Sequence, residues 1–337
     1  MKKYPFLAAM ALTVLASCNN NEFGEGPAVA AGETPIIVRT GVATKAVVAA
    51  GDEVTATFAL ISAAAAPQAA DWEAFVPRKA NVLKADGSFD TYATDAANVS
   101  TGVFTANAAV AQAISFNPIL YYDKTATNNA AYMVGVAPAG TVGAGGTVTF
   151  SVKDGEQDVM YAGLINKGKE SEAGTNEAFF EFNHQTGQVS FLVKKEAELT
   201  DLVTVSSIKL QNVQLPASIK LADGTVTYDA SKELLLPGIV NTQAVTTEGV
   251  PTGNPVMIAP IAALKIDVTI EIAGVKKTYL NLPVAFSDTQ GTGVSKGNAS
   301  LVTINVKNPA TTTETPITAT AKVVAWGTGN TGNVELN

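Results

Sequence analysis

The stretch Leu264-Lys265-Ile266-Asp267-Val268-Thr269-Ile270-Glu271-Ile272 alternates apolar and polar side chains without a break. Successive side chains of a β-strand point to opposite faces of a sheet, so this period of two predicts a strand with one buried and one solvated face. Ala273-Gly274 then favours a turn, and residues 275–286 are predicted to return as an antiparallel strand. The stretch therefore predicts a β-hairpin and indicates an all-β fold.

Shorter apolar runs elsewhere are separated by clusters of Gly, Pro, Asn and Thr, such as the turn signal Gly143 to Gly146. Short strands with turn signals between them are typical of antiparallel β-sandwiches. Two alanine-rich stretches, 59–70 and 106–113, are predicted to form short helices, because alanine has the highest helix propensity. The further predicted strands cover residues 147–152, 189–193, 207–213, 301–306 and 317–326.

The start of the chain has the pattern of an exported lipoprotein. Lys2 and Lys3 precede an apolar stretch, and Leu15-Ala16-Ser17-Cys18 has the small residues and the cysteine of a lipoprotein cleavage site. A membrane-spanning helix is the alternative, but it needs about 20 apolar residues, and polar Asn19 follows the stretch at once. We therefore expect a signal peptide over residues 1–17 and a lipid on Cys18, which is the only cysteine.

Length and composition predict two domains behind that signal. The chain has 337 residues and a hydrophobic content of 47%, which is enough to build two cores. Residues 18–34 are polar and rich in Gly and Ala, so they are predicted to be a flexible tether. The charged segment 166–176 lacks apolar periodicity and is the predicted boundary. We expect an N-terminal β-sandwich over residues 35–168 and a C-terminal one over residues 175–337.

The chain has few of the residues that usually form catalytic or metal-binding sites. The net charge of −8 disfavours binding to phosphate backbones, so nucleic acid is not an expected partner. His184 is the only histidine, which excludes a multi-histidine metal site and favours a structural role for this side chain. Glu170 and Glu172 lie in the charged segment and are interpreted as solvated. The sequence predicts no catalytic residue, no metal and no cofactor.

Several motifs, taken in order, resemble the fimbrillin proteins of Bacteroidales. The segments that carry this resemblance are Asp158-Val159-Met160-Tyr161-Ala162, then Phe182-x-His184 leading into residues 188–193, then Val256 to Pro260 and the closing run to Trp326. The resemblance implies two tandem transthyretin-like antiparallel β-sandwich domains. The first domain departs from the family pattern, because it is rich in alanine and lacks Trp-containing aromatic strands.

The resemblance also implies a route of assembly. Fimbrillins are outer-membrane lipoprotein precursors; a trypsin-like protease removes the first strand, and a strand of another fimbrial subunit replaces it in a homopolymer that serves adhesion to a host or bacterial surface ligand. Here the implied first strand covers residues 35–44, with Ile36, Val38 and Val42 on one face. Cleavage after Lys45 would make Ala46 the new N-terminus. Arg39 is the competing site, but a cut there leaves half of the strand behind.

The run 317–326 allows two interpretations. It is either the last strand of the second sandwich or a donor strand for a neighbouring subunit, with the Gly-containing segment 327–332 as a spacer. Trp326 adds bulk to one face of the run. The opposite face carries the predicted donor residues Ile317, Ala319, Ala321 and Val323.

Two other classes of protein share parts of this pattern. A surface glycan-binding lipoprotein would need aromatic platforms, for which Trp72, Trp326 and the pair Tyr121-Tyr122 are the available residues. A hydrolase would need a convergent pair of carboxylates, which sequence spacing does not reveal.

Overall fold

The computed structural model describes residues 33–41, 53–78, 97–105, 112–124, 126–151, 153–176, 178–286, 293–307 and 319–325. Within these ranges the chain is almost entirely β-structure, with one short α-helix, α1 (Ala69–Glu73), and one 3-10 helix (Glu170–Glu172). The predicted all-β fold is confirmed. The division into two tandem transthyretin-like domains stays a prediction.

In the described ranges, no helix is long and apolar enough to cross a membrane.

The strands fall into two consecutive sets. The first half of the chain contains β1 (Arg39–Gly41), β2 (Glu53–Ala63), β3 (Val99–Thr105), β4 (Gln112–Ala113), β5 (Ser115–Asn117), β6 (Ala130–Ala137), β7 (Thr141–Gly143), β8 (Thr147–Thr149), β9 (Met160–Asn166), β10 (Phe179–Glu181) and β11 (Asn183–His184). The second half contains β12 (Gly187–Lys195), β13 (Val203–Val213), β14 (Pro216–Lys220), β15 (Val226–Tyr228), β16 (Lys232–Leu235), β17 (Val250–Pro251), β18 (Val256–Ile258), β19 (Lys265–Ile272), β20 (Val275–Phe286), β21 (Asn298–Val306) and β22 (Ala319–Ala325).

Four sheets organise these strands. The first half forms a three-stranded sheet in the order β10-β1-β4 and a six-stranded sheet in the order β11-β9-β6-β2-β3-β5. The second half forms a nine-stranded sheet that runs β16-β13-β19-β20-β22-β21-β12-β17, with β18 beside β12. The fourth sheet, β15-β14-β8-β7, combines strands of both halves.

The predicted hairpin at residues 264–286 is confirmed. Strands β19 and β20 are antiparallel, with Ile272 opposite Val275. The two residues of the turn have positive φ, 49° at Ala273 and 81° at Gly274. This is the backbone of a type I′ turn, whose twist matches that of the flanking strands. The apolar side chains of β19 are buried, as their alternation predicts.

One helix prediction is wrong. Residues 59–63 of the first alanine-rich stretch end strand β2, and only Ala69–Glu73 is helical there. Strand β2 pairs with β3 on one side and β6 on the other, and both of its faces are covered. This tertiary burial outweighs the helix propensity of alanine, which is a weak local preference. Residues 112–113 of the second stretch form β4, and residues 106–111 lie outside the described ranges.

The change from one core to the next lies between Phe182 and Val189, and the predicted division into domains stays a prediction. Phe180 and Phe182 belong to the core of the first half, whereas the core of the second half begins at Val189. Strand β10 pairs with β1, and β11 pairs with β9. The segment 166–176 therefore lies between strands of the first half.

Candidate functional site

The segment that leads into β1 is bonded on one side by residues 114–122, which are distant from it in sequence. Its backbone accepts hydrogen bonds from Tyr122 N to Thr34 O at 3.2 Å and from Ile114 N to Val38 O at 2.9 Å, and Ile36 N donates to Leu120 O at 2.8 Å. Strand β1 then pairs in parallel with β10 and antiparallel with β4. It is thus the middle strand of its sheet.

The side chains of this segment alternate between core and solvent. Ile36, Val38 and Thr40 are 2%, 0% and 2% exposed, whereas Ile37 between them is 65% exposed. Arg39 also points outward. The alternation predicted for the first strand is therefore present as far as Thr40, and residues 42–44, with Val42, lie outside the described ranges.

An aromatic floor lies beneath the buried face of the segment. Phe58 stands at its centre, with ring centroids 5.1 Å from Phe116, 5.0 Å from Phe180 and 6.0 Å from Phe182. Phe104 stacks on Phe182 at 5.4 Å. A Cβ atom at Gly135 would come within 2.9 Å of the Phe182 ring, so this part of β6 has room for glycine only. The floor is therefore closely packed under the first strand.

The charged segment 166–176 lies beside the start of the first strand, where Glu170 contacts Thr34. The buried Lys167 ammonium donates to the backbone carbonyls of Asn176 and Ala178. Burial lowers the pKa of Lys167, and the positive charge of Arg39 on β1 acts in the same direction. The segment is thus bonded to itself at Lys167, which lies near enough to β1 for the charge of Arg39 to act on it.

Glu170 connects this segment to the start of the first strand. Its carboxylate accepts a hydrogen bond from Thr34 Oγ1 at 2.5 Å and lies 3.6 Å from Lys124 Nζ. Glu170 was predicted to be a solvated charge, and the structure gives it these two partners. No local pattern signals the contact, because Thr34 is far from Glu170 in sequence.

The predicted processing sites fall in different places. Arg39 lies in β1 with paired strands on both sides. Lys45 and Ala46 lie outside the described residues, as does the predicted lipidation site Cys18. The structure therefore describes Arg39 but not Lys45.

The last described strand, β22, lies inside the nine-stranded sheet of the second half. It pairs antiparallel with β21 along its whole length and in parallel with β20 at Val284 to Phe286. Ala319 and Ala321 are fully buried, and Val323 lies in the same strand. Ile317 and Trp326 lie outside the described residues.

The aromatic residues proposed as a glycan platform are not presented at the surface. Trp72, Tyr121 and Tyr122 are 2%, 8% and 5% exposed, and Trp326 lies outside the described residues. The described residues thus offer none of these rings as a stacking surface.

His184 has a structural setting. Its Nδ1 lies 2.7 Å from Asp158 Oδ2, and both side chains are almost fully buried. The pair connects β11 to Asp158, two residues before β9 begins. Strand β11 is the last strand of the first half. Among the described residues, no group of three or more His, Cys, Asp or Glu side chains has an arrangement that could hold a metal ion.

Comparison with known proteins points to one family. Residues 42–326 match the sequence profile of a family described as fimbrillin-like. Among curated proteins, none matches the chain.

Solved structures that are similar to this chain have low sequence identity to it. A candidate cell adhesion protein from Bacteroides uniformis superposes with a TM-score of 0.52 at 18% identity, covering 88% of this chain and 98% of that one. A fimbrial protein from Bacteroides vulgatus gives 0.45 at 14% identity, covering 86% and 99%. The tip fimbrial protein Mfa3 from Porphyromonas gingivalis gives 0.40 at 6% identity, covering 87% and 100%.

Proposed function

The chain belongs to the fimbrillin-like family, and we propose that it is a structural subunit of a cell-surface fimbria that polymerises by strand exchange. In this proposal the chain is exported as a lipoprotein precursor, a trypsin-like protease removes the first strand, and a strand of another copy takes its place. The fimbria serves adhesion to a host or bacterial surface. No catalysis and no cofactor are part of this function.

The observation that carries the proposal is the middle position of β1 between β10 and β4. Neighbouring strands of a sheet lie about 4.8 Å apart, so removal of β1 would leave a gap of roughly 9.6 Å between β10 and β4. That gap admits one strand. An edge strand would leave no such slot, because its loss only shortens the sheet.

Two physical deficits, unpaired backbone groups and exposed apolar surface, would favour binding of a new strand in the empty slot. The backbone groups that bond to the segment 34–41, such as Ile114 N and Leu120 O, would lose their partners. The core that buries Ile36 and Val38 would also be exposed to water. This exposure costs about 25 cal/mol of free energy for each Å² of apolar surface. An incoming strand with alternating apolar side chains would remove both deficits.

The position of Arg39 supports Lys45 as the processing site. A protease binds its substrate in an extended form, and the backbone around Arg39 is already paired with β10 and β4. Cleavage there would also leave Thr40 in its buried position, where its hydroxyl donates to Phe180 O at 3.4 Å. Cleavage after Lys45 would detach the whole strand from the core.

Strand β22 is the proposed donor. Ala319 and Ala321, the two residues of the strand whose burial is described, are small, so these two positions bury little apolar side-chain area. Among the described residues, its pairing with β20 is limited to Val284 to Phe286, whereas its pairing with β21 runs along its whole length. The small side chains at residues 319 and 321 lower the apolar cost of withdrawing the strand from its own sheet.

We expect deletion of residues 328–337 to give a soluble, folded monomer that no longer polymerises. The shortened chain keeps β22, but it loses the terminal residues that would extend the insertion into the next subunit. Trypsin-treated full-length and truncated chains are compared as ladders on gels. A truncated chain that still forms ladders would contradict the donor role, and one that unfolds would show that these residues belong to the second sandwich.

Replacement of Cys18 by Ala should abolish acyl labelling and membrane retention of the precursor. Cys18 supplies the only thiol in the chain, so no other residue can accept a thioether-linked lipid. Labelling with a radioactive fatty acid and membrane fractionation measure the effect, with Ser17→Ala as a control that keeps a small residue at the cleavage site. Unchanged labelling in the Cys18→Ala chain would rule out lipidation at this position.

A further inference from the structure

The hairpin formed by β14 and β15 leaves the second half and completes a sheet of the first half. Ser218, Ile219 and Lys220 of β14 lie opposite Thr149, Val148 and Thr147 of β8. The pairing continues at both ends, where Phe150 N donates to Ala217 O at 3.0 Å and Leu221 N donates to Gly146 O at 2.8 Å. The two halves are therefore joined by a continuous backbone ladder.

The hairpin also supplies side chains to a core of the first half. Ile219 and Leu221 are fully buried in a cluster whose other buried members all come from the first half. These partners are Ala59, Trp72, Phe75, Val134, Val136, Val148, Phe150 and Val159. Without the hairpin, this cluster would be open to water.

The turn of the hairpin is held by Tyr161 on β9. Its hydroxyl donates to Leu221 O at 2.9 Å, and its ring lies so close to Gly224 that a Cβ atom there would come within 2.5 Å of it. Gly224 has a φ of 72°, a backbone conformation that favours glycine. Burial raises the pKa of the Tyr161 phenol to about 12, with Asp223 acting in the same direction, so the phenol remains a donor at neutral pH.

The six-stranded sheet lies between the first strand and this hairpin. On β2, Phe58 points into the core that contains Ile36 and Val38, whereas its neighbour Ala59 points into the core that contains Ile219. On β6, Met133 belongs to the core that contains Ile36, and Val134 belongs to the core that contains Ile219. The first strand and the hairpin thus support opposite faces of one sheet.

We propose that the β14–β15 hairpin is a brace that keeps the first half folded while the place of β1 is empty. This inference rests on the proposed strand exchange. When β1 leaves, the core beneath it loses its cover, and the packing on the opposite face becomes the remaining support of the six-stranded sheet. Part of that support comes from Ile219 and Leu221 of the second half, so the two halves act as one unit during exchange.

An engineered disulfide tests the ladder directly. The hydrogen bonds at Phe150 and Leu221 make Thr149 and Ser218 a non-hydrogen-bonded antiparallel pair, whose Cα atoms lie about 4.5 Å apart, within the range that a disulfide spans. The chain with Thr149→Cys, Ser218→Cys and Cys18→Ser contains only the engineered pair of thiols. We expect the bond to form in the folded precursor without denaturant.

Thermal unfolding before and after trypsin processing measures the bracing effect. We expect the disulfide to raise the midpoint by a few degrees in the precursor and by a larger amount in the processed core, where fewer contacts hold the first half. Ile219→Ser should act in the opposite direction and should lower the midpoint of the processed core more than that of the precursor. Lys220→Ser is the matched control, because Lys220 is exposed on the same strand.

Tyr161→Phe provides a milder variant if Ile219→Ser does not fold, since it removes only the hydrogen bond to Leu221 O. The brace is refuted if the disulfide fails to form in the native precursor, or if precursor and processed core shift by the same amount. Polymer ladders are a separate readout: their absence in the processed wild-type chain would refute strand exchange while leaving the disulfide result unaffected.

Discussion

Substitution of Val38 by Asp should destabilise the precursor by about 4 kcal/mol or more, because it places an unpaired carboxylate in a closed apolar core. Val38 is fully buried above the aromatic floor around Phe58. Ile37→Asp is the matched control: its side chain is 65% exposed, so the same change should cost within about 1 kcal/mol there. Chemical denaturation of both precursors measures the difference.

The effect of Val38→Asp should disappear after processing. Cleavage after Lys45 removes residue 38, so the processed core of the variant has the same sequence as that of the wild type. Equal unfolding midpoints for the two processed cores would support a removable strand. A deficit that persists after trypsin treatment would show that residues 35–41 remain a permanent part of the core. Val38→Ala gives a smaller change if the Asp variant does not fold.

Lys45→Gln should keep the precursor monomeric under a trypsin treatment that converts the wild type to polymers. The substitution removes the cleavage site while leaving β1 in place, so the slot between β10 and β4 remains filled. N-terminal sequencing of the wild-type product should find a stable core that begins at Ala46. Ladders on gels report the polymers.

Arg39→Gln is the control for this experiment, since it removes the competing basic residue. It should be processed and should polymerise like the wild type, because pairing on both sides protects the backbone around Arg39. A core that begins at Thr40, together with normal processing of the Lys45→Gln chain, would move the processing site to Arg39. A precursor that stays intact from Cys18 onward would contradict proteolytic activation altogether.

Much of the architecture follows from local pattern. The alternation of residues 264–272 predicts both the strand β19 and the face that it buries, and the turn at Ala273-Gly274 predicts its hairpin partner. The alternation around Ile36 and Val38 likewise predicts which side chains face the core. These features are local because burial of one face imposes a period of two on any strand.

Side-chain alternation does not identify a strand that is buried on both faces. Residues 59–63 open the alanine-rich stretch 59–70 and have no clear period, since β2 lies inside a sheet with buried residues on both faces. The alanines of the stretch suggest a helix from propensity alone. Only the neighbours β3 and β6, and the two cores above and below, decide that this stretch is a strand.

The sequence by itself determined the β class, the hairpin at residues 264–286 and the inward side chains of the first strand. The tertiary structure decided which segments meet. It placed β1 between residues 112–113 and 179–181, attached Glu170 to Thr34, and brought the hairpin at Ile219 onto a sheet of the first half. Side-chain alternation reports only whether a face is buried. The partner that buries it is chosen by contacts between segments far apart in the chain, which leave no periodic signal in either segment.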